Sequence, residues 1–166
     1  MTRILTPVPL TAAAFAPFGD VIEASDRAEQ IPINYGYTTR FNDLARIDVA
    51  VDGGHAIVSL FRALPLEPPL LKVFERHPVG SQAFMPLQDR PYLVAVAPRG
   101  PVFDPGQVTV FLAQPSQGVN YAKGVWHHFL LALDAQSDFL VIDRAGPGDN
   151  LDEVHLADAD QILVAL

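Results

Sequence analysis

Arg46-Ile47-Asp48-Val49-Ala50-Val51-Asp52-Gly53-Gly54-His55-Ala56-Ile57-Val58-Ser59-Leu60-Phe61 reads as two extended segments joined by a turn. Ile47, Val49 and Val51 alternate with Arg46, Asp48, Ala50 and Asp52, the period-2 signature of a half-buried strand. Asp52-Gly53-Gly54 then turns the chain into a second strand beginning at His55. The same grammar continues outward. Residues 70–76, 82–85, 92–97, 108–113, 127–133 and 139–142 are further strand candidates, separated by turn clusters at 65–69, 86–91, 98–106, 114–118 and 145–150. Short strands at this spacing, each bounded by Gly and Pro, predict an all-β barrel or sandwich. Near the start, Thr11 is placed to cap a short helix through Phe15, which Pro17 and Gly19 end. Residues 151–156 suit a last strand, and 158–166 fit either helix or extended chain. No linker, low-complexity tract or fixed-period repeat interrupts the sequence, so residues 1–166 are expected to form a single domain.

Composition narrows the function classes. A chain of 166 residues with 49% hydrophobic content can bury roughly 70% of the surface it would expose unfolded. It contains no cysteine, which excludes disulfides, thiolate zinc sites, iron–sulfur clusters and a cysteine nucleophile. Nineteen acidic residues against 11 basic give a net charge of −8. That balance repels phosphate backbones and anionic lipid, so neither nucleic acid nor a membrane surface is expected as a partner. Charged residues make up 18% and prolines number 15; usual proportions are ~25% and ~5%. Many short elements suit this composition better than long helices. Met1 to Ala14 has the outline of a secretory leader, but Pro7 and Pro9 interrupt its apolar stretch and only Arg3 precedes it. No apolar run approaches the ~18 residues of a membrane span. A soluble cytoplasmic protein is the expectation.

Two segments carry the candidate chemistry. In Gln117-Gly118-Val119-Asn120-Tyr121-Ala122-Lys123-Gly124-Val125-Trp126-His127-His128 a glycine turn delivers a tryptophan and two histidines into a strand. Side chains alternate across a strand, so His127 and His128 must face opposite ways and only one can point into a barrel. In Glu75-Arg76-His77-Pro78-Val79-Gly80-Ser81-Gln82-Ala83-Phe84-Met85-Pro86, Glu75 and His77 share a face and Gln82 returns after a Pro-Gly turn. Each segment alone also fits ordinary half-buried polar groups. Asp143-Arg144, after a buried strand, reads as a structural ion pair.

Taken together, the segments resemble the two motifs of the cupin superfamily. Gly124 to His127 is similar to the second motif. Glu75-x-His77-x-x-x-x-Gln82 is similar to the first, with glutamate where metal-binding cupins have a histidine and glutamine where they have a glutamate. Ala14-Phe15-Ala16-Pro17-Phe18-Gly19-Asp20-Val21-Ile22-Glu23, the Glu75 and Gln117 segments, and Asp138-Phe139-Leu140 with Ile142-Asp143-Arg144 extend the likeness over nearly the whole chain. They resemble the ureidoglycolate lyase family, formerly also called ureidoglycolate hydrolase. That resemblance implies a cupin-like double-stranded β-helix, a jelly-roll barrel with a few short helices. It also implies a homodimer that releases urea and glyoxylate from (S)-ureidoglycolate in allantoin (purine) breakdown for nitrogen.

Such an elimination needs a base for the substrate hydroxyl, an acid for the departing nitrogen and a cation for the carboxylate. It needs no redox or organic cofactor. Imidazole suits the proton work near neutral pH, its unperturbed pKa being ~6.5. His77 or His127 is the expected base, and Tyr121 is placed to donate to the leaving nitrogen. Lys123 is the expected carboxylate anchor, with Arg76, Arg40, Arg62 and Arg144 as the arginine alternatives. The substrate pocket implied by the resemblance takes in Asn34, Arg40, Arg76, Gln82 and Trp126. Glu75, His77, Gln82 and His127 form the candidate metal set, for Ni²⁺ or Mn²⁺, although Gln82 is a poor ligand. Two other readings remain: a non-catalytic cupin that binds a small carboxylate, and a cupin enzyme of different specificity. Urea release separates all three.

Overall fold

The computed structural model describes residues 3–166; Met1 and Thr2, which open the leader-like stretch, lie outside the described residues. The architecture is all-β and cupin-like. A five-stranded sheet runs in the order Gly19–Ile22, Gly118–Tyr121, Gln82–Pro86, Ser137–Ala145, His55–Ala63. Opposite it lies a larger sheet in the order Asp152–His155, Val73–Arg76, Trp126–His127, Tyr92–Ala97, Thr109–Ala113, Val8–Pro9, with Leu131–Ala132 also paired to Tyr92–Ala97. Three short strands, Arg3–Leu5, Ile162–Val164 and Leu70–Leu71, back the larger sheet. A separate hairpin of Glu29–Ile33 and Thr38–Asn42 stands out from the body.

Strand Tyr92–Ala97 explains the layering. Every residue in it is buried, because its two faces meet two different cores. Tyr92, Val94 and Val96 point toward the five-stranded sheet and pack with Phe15, Phe84, Phe111, Val119, Phe139 and Val141. Leu93, Ala95 and Ala97 point away and pack with Leu71, Phe74, Val110, Trp126 and Ile162. A strand covered on both faces loses its polar alternation, hence the continuous apolar run. The same alternation puts Trp126 in the outer core and His127 on the inner side.

Several expectations hold. Thr11 caps helix Ala12–Phe15, its hydroxyl accepting from the Ala14 amide at 3.2 Å. Strand 92–97 falls where expected, and residues 158–166 resolve as extended chain through Ile162–Val164. Other candidates are divided. Residues 70–76 split between two sheets, and residues 127–133 break into Trp126–His127 and Leu131–Ala132. The first strand of the opening hairpin is a correction: residues 43–50 form no strand. Their backbone groups are taken up by side chains and a loop. The Arg46 amide donates to the Asp20 carboxylate at 3.1 Å, and the Arg46 carbonyl accepts from Asn120 at 2.9 Å. The Asp48 amide donates to the Ser81 hydroxyl at 2.8 Å, and the Ser81 amide returns a bond to the Asp48 carbonyl at 2.9 Å. The segment is a strap across the outer face of the five-stranded sheet. Asp143-Arg144 is also not an ion pair: Arg144 donates to the carbonyls of Val51 and Pro147, at 2.8 and 2.9 Å.

Phe139, 0% exposed, sits where the two sheets meet, its ring 5.0 Å from that of Tyr92. Phe139→Ala is expected to lower unfolding stability by ~3–5 kcal/mol through lost burial and the cavity left behind. Urea denaturation followed by fluorescence would read this as a lower midpoint at unchanged slope.

Candidate active site and metal centre

Gly124, at φ +73°, turns the chain between strands Gly118–Tyr121 and Trp126–His127, a conformation that favours glycine. Its amide donates to the His77 carbonyl at 2.9 Å, so the turn is tied to the end of strand Val73–Arg76. That strand pairs with Trp126–His127 such that Glu75 lies directly opposite His127. Tyr121 lies opposite Gln82 in the other sheet. Two registers thus gather Glu75, His77, Gln82, Tyr121 and His127 from both sides of the barrel.

One potential ligand atom from each of Glu75, His77 and His127 lies within 4.8 Å of the others. The imidazole rings are 5.1 Å apart, and His127 stacks on Tyr121 at 4.2 Å between centroids. Both histidines are held from behind by backbone carbonyls. His77 Nδ1 lies 2.7 Å from the Asn150 carbonyl and His127 Nδ1 lies 3.2 Å from that of Val125. An Nδ1–H donated to a carbonyl leaves the Nε2 lone pair free to face the site. His77 Nε2 lies 3.1 Å from the end of the Gln82 side chain, whose amide NH₂ is the group able to donate to that lone pair. His127 Nε2 is buried without a hydrogen-bond partner, 3.4 Å from Glu75 Oε1.

Electrostatics sharpen that arrangement. Burial lowers the His127 pKa below its ordinary value, favouring the neutral ring. The hydrogen-bonding influence of His127 is the largest effect on Glu75 and holds its carboxyl below the usual range, against the opposing effect of burial. The Nε2 of His127 and the Glu75 carboxylate, 3.4 Å apart, therefore form a pair able to share a proton or a cation. Two Nε2 atoms and a carboxylate, oriented by backbone acceptors, fit a first-row divalent ion. Gln82 stands beside the triad with its amide on His77.

A cavity of about 340 Å³ opens against this cluster, lined by Glu75, Tyr121 and His127 and walled by Phe61, Phe84 and Phe129. Arg62 is the one arginine on its wall, and its guanidinium forks onto Asp138 at 2.7 and 2.8 Å on the exposed side. Burial raises the Tyr121 pKa beyond its ordinary value, so the phenol stays protonated as a donor. His128 also borders the cavity and packs edge-on against Phe74 on the outer side. Burial pushes its pKa down to about 4. Nothing in its sequence position marked it for this wall.

The other expected residues lie elsewhere. Lys123 pairs with Asp48 at 2.9 Å and lines a different cavity. Arg76 bonds Asp152 at 2.7 Å, contacts the Gly100 carbonyl and lies 4.8 Å from the Trp126 ring. Trp126 itself packs in the outer core, its indole N–H on Gly100 at 3.1 Å. Asn34 and Arg40 belong to the projecting hairpin, where Asn34 bonds Thr38 at 3.2 Å and both are exposed.

Comparison with known proteins covers nearly the whole chain. The profile of the family described as ureidoglycolate lyase matches residues 2–163. A ureidoglycolate lyase of Burkholderia mallei is 56% identical over 158 residues, covering 95% of this chain and 92% of its own. One from Burkholderia cepacia is 57% identical over 157 residues, with 93% and 88% covered. One from Pseudomonas aeruginosa is 49% identical over 163 residues, with 98% and 96% covered.

The triad makes a direct prediction. Calorimetric titration of chelator-treated protein with Ni²⁺ or Mn²⁺ should give one site per chain. His127→Ala and Glu75→Gln should each weaken that site by about tenfold or more, ~1.4 kcal/mol at least.

Proposed function

Because the chain belongs to the ureidoglycolate lyase family, we propose that it eliminates urea from (S)-ureidoglycolate, leaving glyoxylate, in the cavity bounded by Glu75, His127 and Tyr121. The carrying observation is the buried, unpartnered Nε2 of His127 beside an ionised Glu75. Of the two candidate bases, His127 is the one that borders the cavity, whereas His77 has its Nε2 against Gln82. His127 takes the substrate hydroxyl proton as the carbon–oxygen double bond forms and the carbon–nitrogen bond breaks. Glu75 then faces the imidazolium, whose positive charge it stabilises. That same proton is the one the departing ureido nitrogen requires, so the site returns to its starting protonation state without consuming water. Tyr121, kept protonated by burial, donates a hydrogen bond to the leaving nitrogen. Arg62, the one arginine among the cavity's lining residues, is the candidate for the substrate carboxylate at the rim, where it would leave its exposed Asp138 pair on the outer face and swing round the sheet edge. Phe61, Phe84 and Phe129 keep bulk water away.

In a metal-loaded form, a divalent Ni²⁺ or Mn²⁺ held by Glu75, His77 and His127 would occupy the Nε2 of His127 and polarise the substrate oxygen in place of the protein base. The cellular setting we infer is cytoplasmic nitrogen recovery from allantoin. No helix among the described residues is long and apolar enough to cross a membrane.

We also propose a homodimer through strand His55–Ala63. It is the last strand of the five-stranded sheet, nine residues long, with Val58 67% and Leu60 68% exposed. A long apolar edge strand left bare invites pairing with another chain. Phe61, Arg62 and Ala63 of the same strand line the cavity, so a partner there would also cover its mouth.

Enantiopure (S)-substrate should give urea and glyoxylate in equal amounts. Ammonia in place of urea would overturn the elimination. His127→Ala should lower kcat by roughly 10²–10⁴-fold. The base must be neutral, so activity should rise with pH through the His127 pKa; burial predicts an acid limb centred below the ordinary ~6.5. Sedimentation should give twice the chain mass, and Leu60→Lys should shift it toward one.

A further inference from the structure

The strap of residues 43–50 covers a second cavity, of about 320 Å³, that shares no lining residue with the catalytic one. Its charge runs against the rest of the molecule. Arg46, Arg99 and Lys123 border it together with two carboxylates, Asp20 and Asp48. The chain as a whole carries −8, yet here three cations meet two anions. Lys123 is spent on Asp48 at 2.9 Å, and the Asp20 carboxylate already accepts from the Asn120 amide and the Arg46 backbone. Among the described residues, the guanidinium groups of Arg46 and Arg99 have no such partner.

Asn120 supplies the independent observation. It is 1% exposed and lines this cavity. Its amide nitrogen donates to Asp20 Oδ2 and to the Arg46 carbonyl, both at 2.9 Å. Both partners are obligate acceptors at these contacts, so the amide cannot be turned round. Oδ1 is therefore fixed as an acceptor, and it is buried with no donor. Leaving such an atom unpaired carries the full desolvation cost, which a ligand's donor would relieve.

We propose that this cavity is a second, non-catalytic binding site for a small monoanion carrying an O–H or N–H donor, of the hydroxy- or ureido-carboxylate class. The carboxylate lies against Arg46 and Arg99, and the donor meets Asn120 Oδ1. The site does not depend on the elimination chemistry, because none of these residues borders the catalytic cavity.

Glycolate and acetate separate the two halves of the idea. Both carry the carboxylate, and only glycolate offers a hydroxyl donor. Binding would be followed by two-dimensional NMR of the ¹⁵N-labelled full chain, reading the Asn120 side-chain amide. Glycolate should shift that amide and bind about tenfold more tightly than acetate, since a site built to accept a hydrogen bond rejects the analogue lacking it. The Arg46→Ala/Arg99→Ala double variant should lose this binding by about tenfold or more while its turnover of ureidoglycolate is unchanged. His127→Ala should keep the glycolate-induced shift while losing turnover. Equal affinity for the two anions, binding that survives the double arginine variant, or a shift lost in His127→Ala would each overturn the proposal. Only failure of His127→Ala to lose turnover bears on the catalytic reading.

Discussion

A lone pair buried 3.4 Å from a carboxylate is the constraint on which the site turns. The Val125 carbonyl lies 3.2 Å from Nδ1 of His127, and burial favours the neutral ring. Glu75 is drawn to its ionised form by that same imidazole. A proton or a divalent ion shared between them satisfies both groups. A substrate proton and a divalent ion are the two species that fit, and both are useful to an elimination that must polarise and deprotonate a hydroxyl.

That constraint is held by backbone rather than by side-chain packing. Glu75 stands opposite His127 because strands Val73–Arg76 and Trp126–His127 pair in that register. A slip by one residue would turn both side chains to the opposite face. The Gly124 amide bonded to His77 helps pin the register, since it ties the turn before one strand to the end of the other. Behind it, the two-faced burial of Tyr92–Ala97 fixes the larger sheet between two cores. The stable part of the fold thus serves the reactive part directly.

Charge is distributed with similar economy. The protein is strongly acidic, and its cations are concentrated away from the imidazoles. Arg76 is consumed by Asp152, Gly100 and the face of Trp126, while Arg144 props the loops around Val51 and Pro147. Lys123, only a few residues from His127 in sequence, belongs to the cavity beneath the strap. The catalytic cavity keeps one arginine at its rim, and its remaining walls are chiefly apolar and aromatic. Such walls raise the energetic weight of each polar group that remains.

Residue order alone determined the β class, because alternating and continuous apolar runs between Gly and Pro turns leave no room for long helices. Its resemblance to the two cupin motifs implied that His77 and His127 share one site, whereas each segment read by itself also fitted ordinary half-buried polar groups. Residue order did not determine the state of residues 46–52. Their alternation is real, but the donors and acceptors that claim their backbone are Asp20, Ser81 and Asn120, distant in sequence, and local patterning carries no information about them. Lys123 and Arg76 were misplaced for the same reason: an arginine or lysine reads alike whether its charge faces substrate or an aspartate. Only the tertiary structure decided which cations were already paired, which histidine opened on the cavity, and where an acceptor was left without a donor. Those are properties of contacts between segments far apart in the chain.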